Sequence, residues 1–245
     1  MKLSVIIPAY NEEKRLPKTL VEIDKYLKQQ DYDYEILVVN DGSKDNTAKL
    51  VEELKPQIAN LKLINNKVNH GKGYVVRQGM LTALGEYRLF TDADNSTSID
   101  QIEKMWPWFE KGYDVVIGSR DVKGAVLDPP QPFIRRFIGQ IFKLIRKIIC
   151  DVWGLQDTQC GFKCFRGEVA EEVFSRTKID QFSFDVETLL IAKILGYKIK
   201  EIPVLWRNDP KTKVTLKSAL KMLPDLIKIR WYKIKGMYEK EQKKL

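Results

Sequence analysis

Residues 86–96 read Glu86-Tyr87-Arg88-Leu89-Phe90-Thr91-Asp92-Ala93-Asp94-Asn95-Ser96. Leu89, Phe90 and Thr91 have the composition of a short buried strand, and the run stops at Asp92. Two carboxylates then stand one residue apart where the chain leaves the strand. Ligands of open α/β sheets bind outside the carboxyl ends of strands, so Asp92 and Asp94 are expected at the mouth of a cleft. Hard divalent cations take oxygen ligands, often one or two carboxylates together with substrate phosphates. Asp92 and Asp94, with Ser96 beside them, are therefore candidate ligands for Mg²⁺ or Mn²⁺ carrying a diphosphate. The plainer reading is a polar turn, for which Asp and Asn are well suited. The rest of the chain has to decide between the two.

Working back from this stretch, the same design recurs. Leu3-Ser4-Val5-Ile6-Ile7-Pro8 is a β-branched run typical of a buried parallel strand, and it breaks at Pro8-Ala9-Tyr10-Asn11-Glu12-Glu13. A helix is predicted from about Leu16 to Gln29, with Leu20, Ile23 and Leu27 on one face. The strand Tyr34–Val39 ends in Asn40-Asp41-Gly42-Ser43-Lys44-Asp45, where Asp-Gly signals a turn and Asp45 or Asn46 suits the cap of a helix running to Leu54. Leu61–Ile64 reads as a third strand, Asn69-His70-Gly71-Lys72-Gly73 as a glycine-punctuated loop, and Val75–Leu84 as a helix. Strands alternating with helices predict an α/β fold with a mostly parallel sheet covered on both faces.

Three strand ends thus carry acids: Glu12, Asp41 and the Asp92/Asp94 pair. Acidic loops on one rim suit nucleoside hydroxyls plus a metal. The phosphate-cradling Gly-x-x-x-x-Gly-Lys-Ser/Thr pattern is absent, as is Gly-x-Gly-x-x-Gly after the first strand. A P-loop ATPase and an ordinary dinucleotide dehydrogenase are accordingly disfavoured.

Taken together, Val5–Glu12, Val39-Asn40-Asp41-Gly42-Ser43, Gly71-Lys72-Gly73 and Thr91-Asp92-Ala93-Asp94 resemble, in order and spacing, the inverting glycosyltransferases of family 2. The resemblance implies a GT-A nucleotide-sugar-binding fold over residues 1–210. It implies that Pro8, Tyr10, Glu12, Val39 and Asp41 hold the nucleoside, with Lys72 nearby, and that Asp92, Ala93 and Asp94 meet the metal and diphosphate. Gly118-Ser119-Arg120, after the strand Tyr113–Ile117, resembles a donor-phosphate contact. A guanidinium pairs with phosphate oxygens in bidentate fashion, so Arg120 suits that role. Asp157–Phe165 is most similar to the dolichyl-phosphate glucosyltransferase branch, and Gln181–Glu187 and the strand Ile199–Val204 continue the likeness. UDP-glucose is the implied donor, with GDP-mannose the alternative, and a polyprenyl (dolichyl-type) phosphate the implied acceptor. Transfer to a soluble glycan is the other possibility within the fold. Asp157 and Asp185 are candidates for the acceptor side, or else structural acids orienting Lys163 or a turn. Lys163 and Arg207 are candidate contacts to the acceptor phosphate.

Length and charge set further bounds. A chain of 245 residues, 44% hydrophobic, buries a full core and reads as one large domain. Its cysteines, Cys150, Cys160 and Cys164, are odd in number and have the company of one histidine, so reduced thiols are expected rather than disulfides or a zinc site. The net charge of +9 is local: +5 falls in residues 131–150 and +8 in residues 207–245. Basic patches of this kind favour an anionic surface. A nucleic-acid binder is disfavoured, because the basic stretches interleave with apolar residues and the strand ends are acidic.

Phe133–Cys150 has Phe133, Ile134, Phe137, Ile138, Ile141, Leu144, Ile145, Ile148 and Ile149 on one side and Arg135, Arg136, Gln140, Lys143 and Lys147 on the other. A helix of this type lies in a membrane interface with its lysines against lipid phosphates, or else packs on a core. Residues 211–245 read as a second basic, amphipathic helix pair split at Pro224, with Trp231 and Tyr232 suited to headgroup level and a frayed end after Glu239. No run approaches the ~20 apolar residues that span a bilayer. A peripheral protein on the cytoplasmic face of a membrane is the expectation.

Overall fold

The computed structural model describes residues 1–58, 60–129, 133–207 and 216–239, without the side chains of 133–138, 141 and 216–221. In chain order its elements are β1 (Leu3–Ala9), α1 (Leu16–Leu27), β2 (Tyr34–Asp41), α2 (Thr47–Leu54), β3 (Leu61–Asn66), α3 (Lys72–Thr82) and β4 (Tyr87–Thr91). A 3₁₀ turn at Ile99–Lys104 leads to α4 (Trp106–Glu110), β5 (Val115–Ser119), β6 (Val126–Asp128) and α5 (Phe133–Cys150). The chain then forms β7 (Phe162–Arg166), α6 (Gly167–Phe174), α7 (Phe184–Ile194), β8 (Ile199–Pro203), β9 (Leu205–Arg207) and α8 (Leu216–Ile234). Apart from the C-terminal helix pair, the predicted elements are present, with ends shifted by a few residues.

Seven strands form one sheet in the order β3-β2-β1-β4-β7-β5-β8, and β6 pairs with β9 in a separate ribbon. β1, β2, β3 and β4 are mutually parallel, as are β5 and β8. The expected α/β sheet, mostly parallel and flanked by helices, is therefore the observed one. β1 and β2 are buried along their whole length, as a strand covered on both faces must be, which is why both are near-continuous apolar runs. Alternate residues serve two cores. Ile6, Val39, Val76, Phe90 and Phe184 fill one, and Val5, Ile7, Leu20, Ile36, Leu89 and Phe109 the other.

The topology places the site. The chain leaves β1 for β2 on one side and later returns to β4 on the other. Ala9 stands opposite Asn40, and Ile6 opposite Phe90, so the loops after β1, β2 and β4 open on one edge at a topological switch point.

One strand is not legible as such in the sequence. β7 runs antiparallel between β4 and β5, inside the stretch read above only as a family marker. Its register sets Lys163 opposite Phe90 on one side and Ile117 on the other, in the middle of the sheet. The three cysteines are free and buried.

The C-terminal reading needs correction. α8 is one helix with Pro224 inside it, not a pair split there. Proline removes a single N–H from the ladder, and the turns on either side keep their own bonds. α8 packs along α5, where Cys150 Sγ approaches the Leu226 carbonyl at 3.8 Å. The basic residues Lys211 and Lys213, and the end expected to fray after Glu239, lie outside the described residues. No helix among the described residues is long and apolar enough to cross a membrane.

Candidate active site

The loops after β1 and β2 are stitched to each other before they meet any ligand. Asn11, with φ of 54°, turns the chain out of β1; its N–H donates to Ser43 Oγ (2.9 Å) and its Oδ1 accepts from Lys44 N–H (2.8 Å). Glu12 N–H donates to Thr47 Oγ1 at 2.8 Å, and Asp45 accepts the N–H groups of Glu13 and Thr47. Asp45 is thus a turn-and-cap residue, in line with its plainer reading. Gly42 takes φ of +65°, and a Cβ there would stand 2.4 Å from the Val68 carbonyl carbon. The Asp-Gly pair is needed because the next loop passes directly over it.

Asp41, at the end of β2, is buried. It accepts the N–H groups of His70 (2.7 Å) and Gly71 (3.0 Å) and the Asn69 amide (2.8 Å). Burial pushes its carboxyl above the usual range, with those donors opposing the rise. Asp41 therefore shapes the Asn69–Gly71 loop, a job sequence spacing does not disclose. Pro8 and Val39 are paired in register and buried, with Val39 packed in the core, so neither side chain is open at the rim. Tyr10 is the open residue of this set, 36% exposed.

The acids and bases converge in one alternating row. Lys163 Nζ lies 2.5 Å from Asp185 Oδ1; Lys72 Nζ lies 2.6 Å from Asp92 Oδ1; Asp94 Oδ2 lies 3.8 Å from Arg15 Nη1; and Arg15 grips Glu12 with two bonds of 2.7 Å. Arg15 was missed by the sequence reading, although its i,i+3 spacing from Glu12 is a legible signal. Burial opposes the charge on Lys72, but Asp92 outweighs it and holds the ammonium firmly protonated. Asp94 is pushed above the usual carboxylate range by burial and then by its neighbour Asp92. Ser96, expected as a metal ligand, is buried and donates its N–H to Asp94 Oδ1 at 3.0 Å, so it orients that carboxylate. Ala93 packs inward, its carbonyl accepting the Thr19 hydroxyl at 2.8 Å.

A cation fits here. The row holds four carboxylates (Glu12, Asp92, Asp94, Asp185) against three bases (Arg15, Lys72, Lys163). Asp94, raised by burial and by Asp92, sits on the open side, lining with Lys14, Arg15, Lys18, Asn95 and Arg207 a cleft of about 290 Å³. The described residues hold no cluster of three or more His, Cys, Asp or Glu side chains, so an ion here would complete its oxygen shell from phosphate and water.

Arg120, directly after β5, is locked on Asp157. Its Nε and Nη2 bond the two carboxylate oxygens at 2.7 and 2.9 Å, and its N–H adds a third bond of 3.0 Å. Asp157 also accepts Gln159 N–H at 3.1 Å, while Glu201 accepts the N–H groups of Gln156 and Asp157. Burial would raise the Asp157 carboxyl, but the Arg120 charge and bonds prevail and hold it well below the usual range. Such a carboxylate is a weak proton acceptor and a strong anchor. Asp185, which burial raises, is bonded to Lys163.

One expectation needs correction. Lys163 is wholly buried between Asp185 and the Cys160 carbonyl (2.6 Å), so it cannot touch an acceptor phosphate in this arrangement. The cause is the central, two-sided position of β7. The described basic residues of α5 have partners in neighbouring loops. Lys143 pairs with Asp121 at 2.9 Å, Arg146 donates to Gln159, and Lys147 donates to Gln156 at 3.1 Å. The loops 119–121 and 156–159 supply acceptors that solvent does not have to. Arg207 is exposed, at the cleft mouth, with its N–H on the Ser96 carbonyl (2.7 Å).

Comparisons with known proteins give a family and a fold. The profile of glycosyl transferase family 2 matches residues 4–174. A dolichyl-phosphate beta-glucosyltransferase of Trichomonas vaginalis is 39% identical over 238 residues, 93% of this chain and 72% of that protein. One of Dictyostelium discoideum is 36% identical over 250 residues, 97% of this chain and 76% of the relative. Among solved structures, glucosyl-3-phosphoglycerate synthase of Mycobacterium tuberculosis with UDP superimposes with a TM-score of 0.67 at 14% identity, covering 94% of this chain and 80% of that one. A Pyrobaculum calidifontis mannosyltransferase with GDP-Man and Mn²⁺ gives 0.57 at 19% identity, covering 86% and 58%. At these identities the structures share the fold, which is of the GT-A type.

Proposed function

The chain belongs to glycosyl transferase family 2, and from that premise we propose that it transfers glucose from UDP-glucose to the phosphate of a dolichyl-type polyprenyl phosphate, with inversion at the anomeric carbon. The observation that carries the reading is Asp94. It is a raised carboxylate beside Asp92, held by Ser96 and opening on a basic cleft at the switch point. The names of the relatives supply the sugar and the acceptor.

In this reading the nucleoside lies over Tyr10, Glu12 and Asp41, with Pro8 and Val39 offering backbone and Lys72 close by. A bound Mg²⁺ or Mn²⁺ would be held by Asp94 and Asp92 and would supply positive charge on the departing diphosphate. An acceptor phosphate oxygen attacks the anomeric carbon in line, and the bond to the UDP oxygen breaks with its electron pair staying on the diphosphate. A phosphate monoester is largely dianionic near neutral pH, with its second pKa near ~6, so no strong base is required. Asp157 and Asp185 then act by holding Arg120 and Lys163. Arg120 turns its free edge to the diphosphate, and Arg207 guards the acceptor entrance.

Peripheral attachment to the cytoplasmic face of a membrane fits the outer surface of α5 and α8. Leu144, Ile148, Ile227, Trp231 and Ile234 are exposed there, with Lys228, Arg230 and Lys235 also solvent-facing. The experiment is transfer of labelled sugar from UDP-glucose and GDP-mannose, in parallel, to a short polyprenyl phosphate with Mg²⁺ or Mn²⁺. Lipid-extractable label from UDP-glucose alone is expected. Label from GDP-mannose alone overturns the sugar, and label from neither, with nucleotide still bound, overturns the lipid acceptor.

A further inference from the structure

Arg146 stands apart from every other charged residue described above. It lies on the inner side of α5 and is 2% exposed. Its Nη1 donates to Gln159 Oε1 at 3.3 Å, and its Nε has no partner among the described residues. The acids whose fields reach it are already engaged: Asp157 by Arg120, Asp185 by Lys163 and Asp121 by Lys143. Burial weakens its hold on its proton; Asp157 opposes that and Arg120 adds to it. A guanidinium taken out of water with one neutral partner is costly unless an anion completes the site.

The surroundings say what kind of anion. Thr158, next to Gln159 in the chain, carries a second buried polar atom without a partner among the described residues. Among the described residues the Gln159 side chain is tied by that 3.3 Å bond and a 3.7 Å contact to Met222 Sδ, so it is easily displaced. The segment 157–159 also anchors Arg120. On the outer side of the same helix, Leu144 and Ile148 are open. An anion seated on Arg146 and Thr158 would stand next to Asp157, which holds Arg120. The proposed acceptor is an amphiphile with such an anionic head.

We infer that Arg146, with Thr158 and Gln159, binds the phosphate monoester head of the acceptor. This rests on the proposed lipid-phosphate acceptor. The guanidinium supplies the charge and the Nε donor, the Thr158 hydroxyl a second donor, and Gln159 is the side chain that swings aside.

The test uses the full chain, a ten-carbon isoprenyl phosphate, inorganic phosphate and UDP. Arg146→Gln should raise the KM for the isoprenyl phosphate at least about tenfold, the scale of one charge-assisted hydrogen bond. The KM for UDP-glucose should stay within about twofold. Thermal stabilisation by the isoprenyl phosphate should be lost in the variant, while stabilisation by UDP is kept. Inorganic phosphate stabilising the wild type as well as the isoprenyl ester does would make the site one for free phosphate and overturn the lipid assignment. Loss of UDP stabilisation would place Arg146 on the donor side and overturn it likewise. An unchanged acceptor KM overturns it outright. If Arg146→Gln does not fold, Arg146→Lys decides by the same KM comparison, since it keeps the charge and loses the Nε donor. If the wild type transfers no glucose, stabilisation by the isoprenyl phosphate that depends on Arg146 still upholds the site, while the proposed reaction fails; no such stabilisation overturns the site too.

Discussion

Gly161 lies against Asp92 so closely that a Cβ on it would stand 1.9 Å from Oδ2 and 2.3 Å from Cγ. The two are also joined through the backbone, Asp92 N–H donating to the Gly161 carbonyl at 3.2 Å. The start of β7 is therefore the wall that fixes the Asp92 carboxylate toward Lys72. The restriction is one of space, since Gly161 does not take a positive φ.

Gly161→Ala should accordingly turn Asp92 away from Lys72. We expect a loss of about 1–3 kcal/mol in stability, the usual cost of overpacking, and at least about a tenfold fall in transfer rate. Gly139→Ala, with nothing among the described residues within 4 Å of the added carbon, is the control and should be neutral or slightly stabilising. Denaturant unfolding alongside the transfer assay reads both, and normal activity in Gly161→Ala would detach Asp92 from the reaction.

Asp94→Asn should separate activity from stability. In the metal-free protein the wild-type carboxylate suffers from burial and from Asp92, so the variant should melt no lower than the wild type and a degree or so higher. Transfer should fall by at least about 100-fold, the scale of losing one group that stabilises developing charge. Melting curves with and without Mn²⁺ complete the measurement: the ion should stabilise the wild type and not the variant.

Asp157→Asn should be costly, about 3 kcal/mol, because it leaves the mostly buried Arg120 charge without its counter-ion. The pH dependence has a definite sign. The folded carboxyl is held below its ordinary value, so its contribution is complete above the unfolded pKa of ~3.9. It is lost progressively as the pH falls from there to the lower folded value. The gap in unfolding free energy between wild type and variant should thus be equal at pH 7 and pH 5 and narrow only in stronger acid. A gap that closes between pH 7 and pH 5 would contradict the pairing.

Replacing Ile227 and Trp231 together by Ser should weaken binding to vesicles containing anionic lipid by about tenfold or more, given ~1.5–3 kcal/mol for each large apolar side chain removed from water. Both are more than half exposed, at 62% and 51%, so the fold should not suffer. Co-sedimentation measures the first effect and the melting temperature the second. Undiminished sedimentation would assign α8 to some other surface.

The sequence alone determined the alternating strands and helices and the positions of Glu12, Asp41, Asp92 and Asp94 at strand ends. Those features are local: a buried parallel strand has to be apolar throughout, and a polar residue just past it falls on the sheet edge. The tertiary structure decided what each charge does. Asp157 meets Arg120 across 37 positions of chain, and Asp185 meets Lys163 across 22. Lys163 was open to an acceptor role in the sequence because no pattern marks β7 as a strand between two others. Arg146 entered the sequence reading only as part of the net positive charge of residues 131–150. Amphipathic spacing tells which residues share a face and nothing of what that face meets, and the strength of a charge is set by distance and burial, which exist only once the chain has folded.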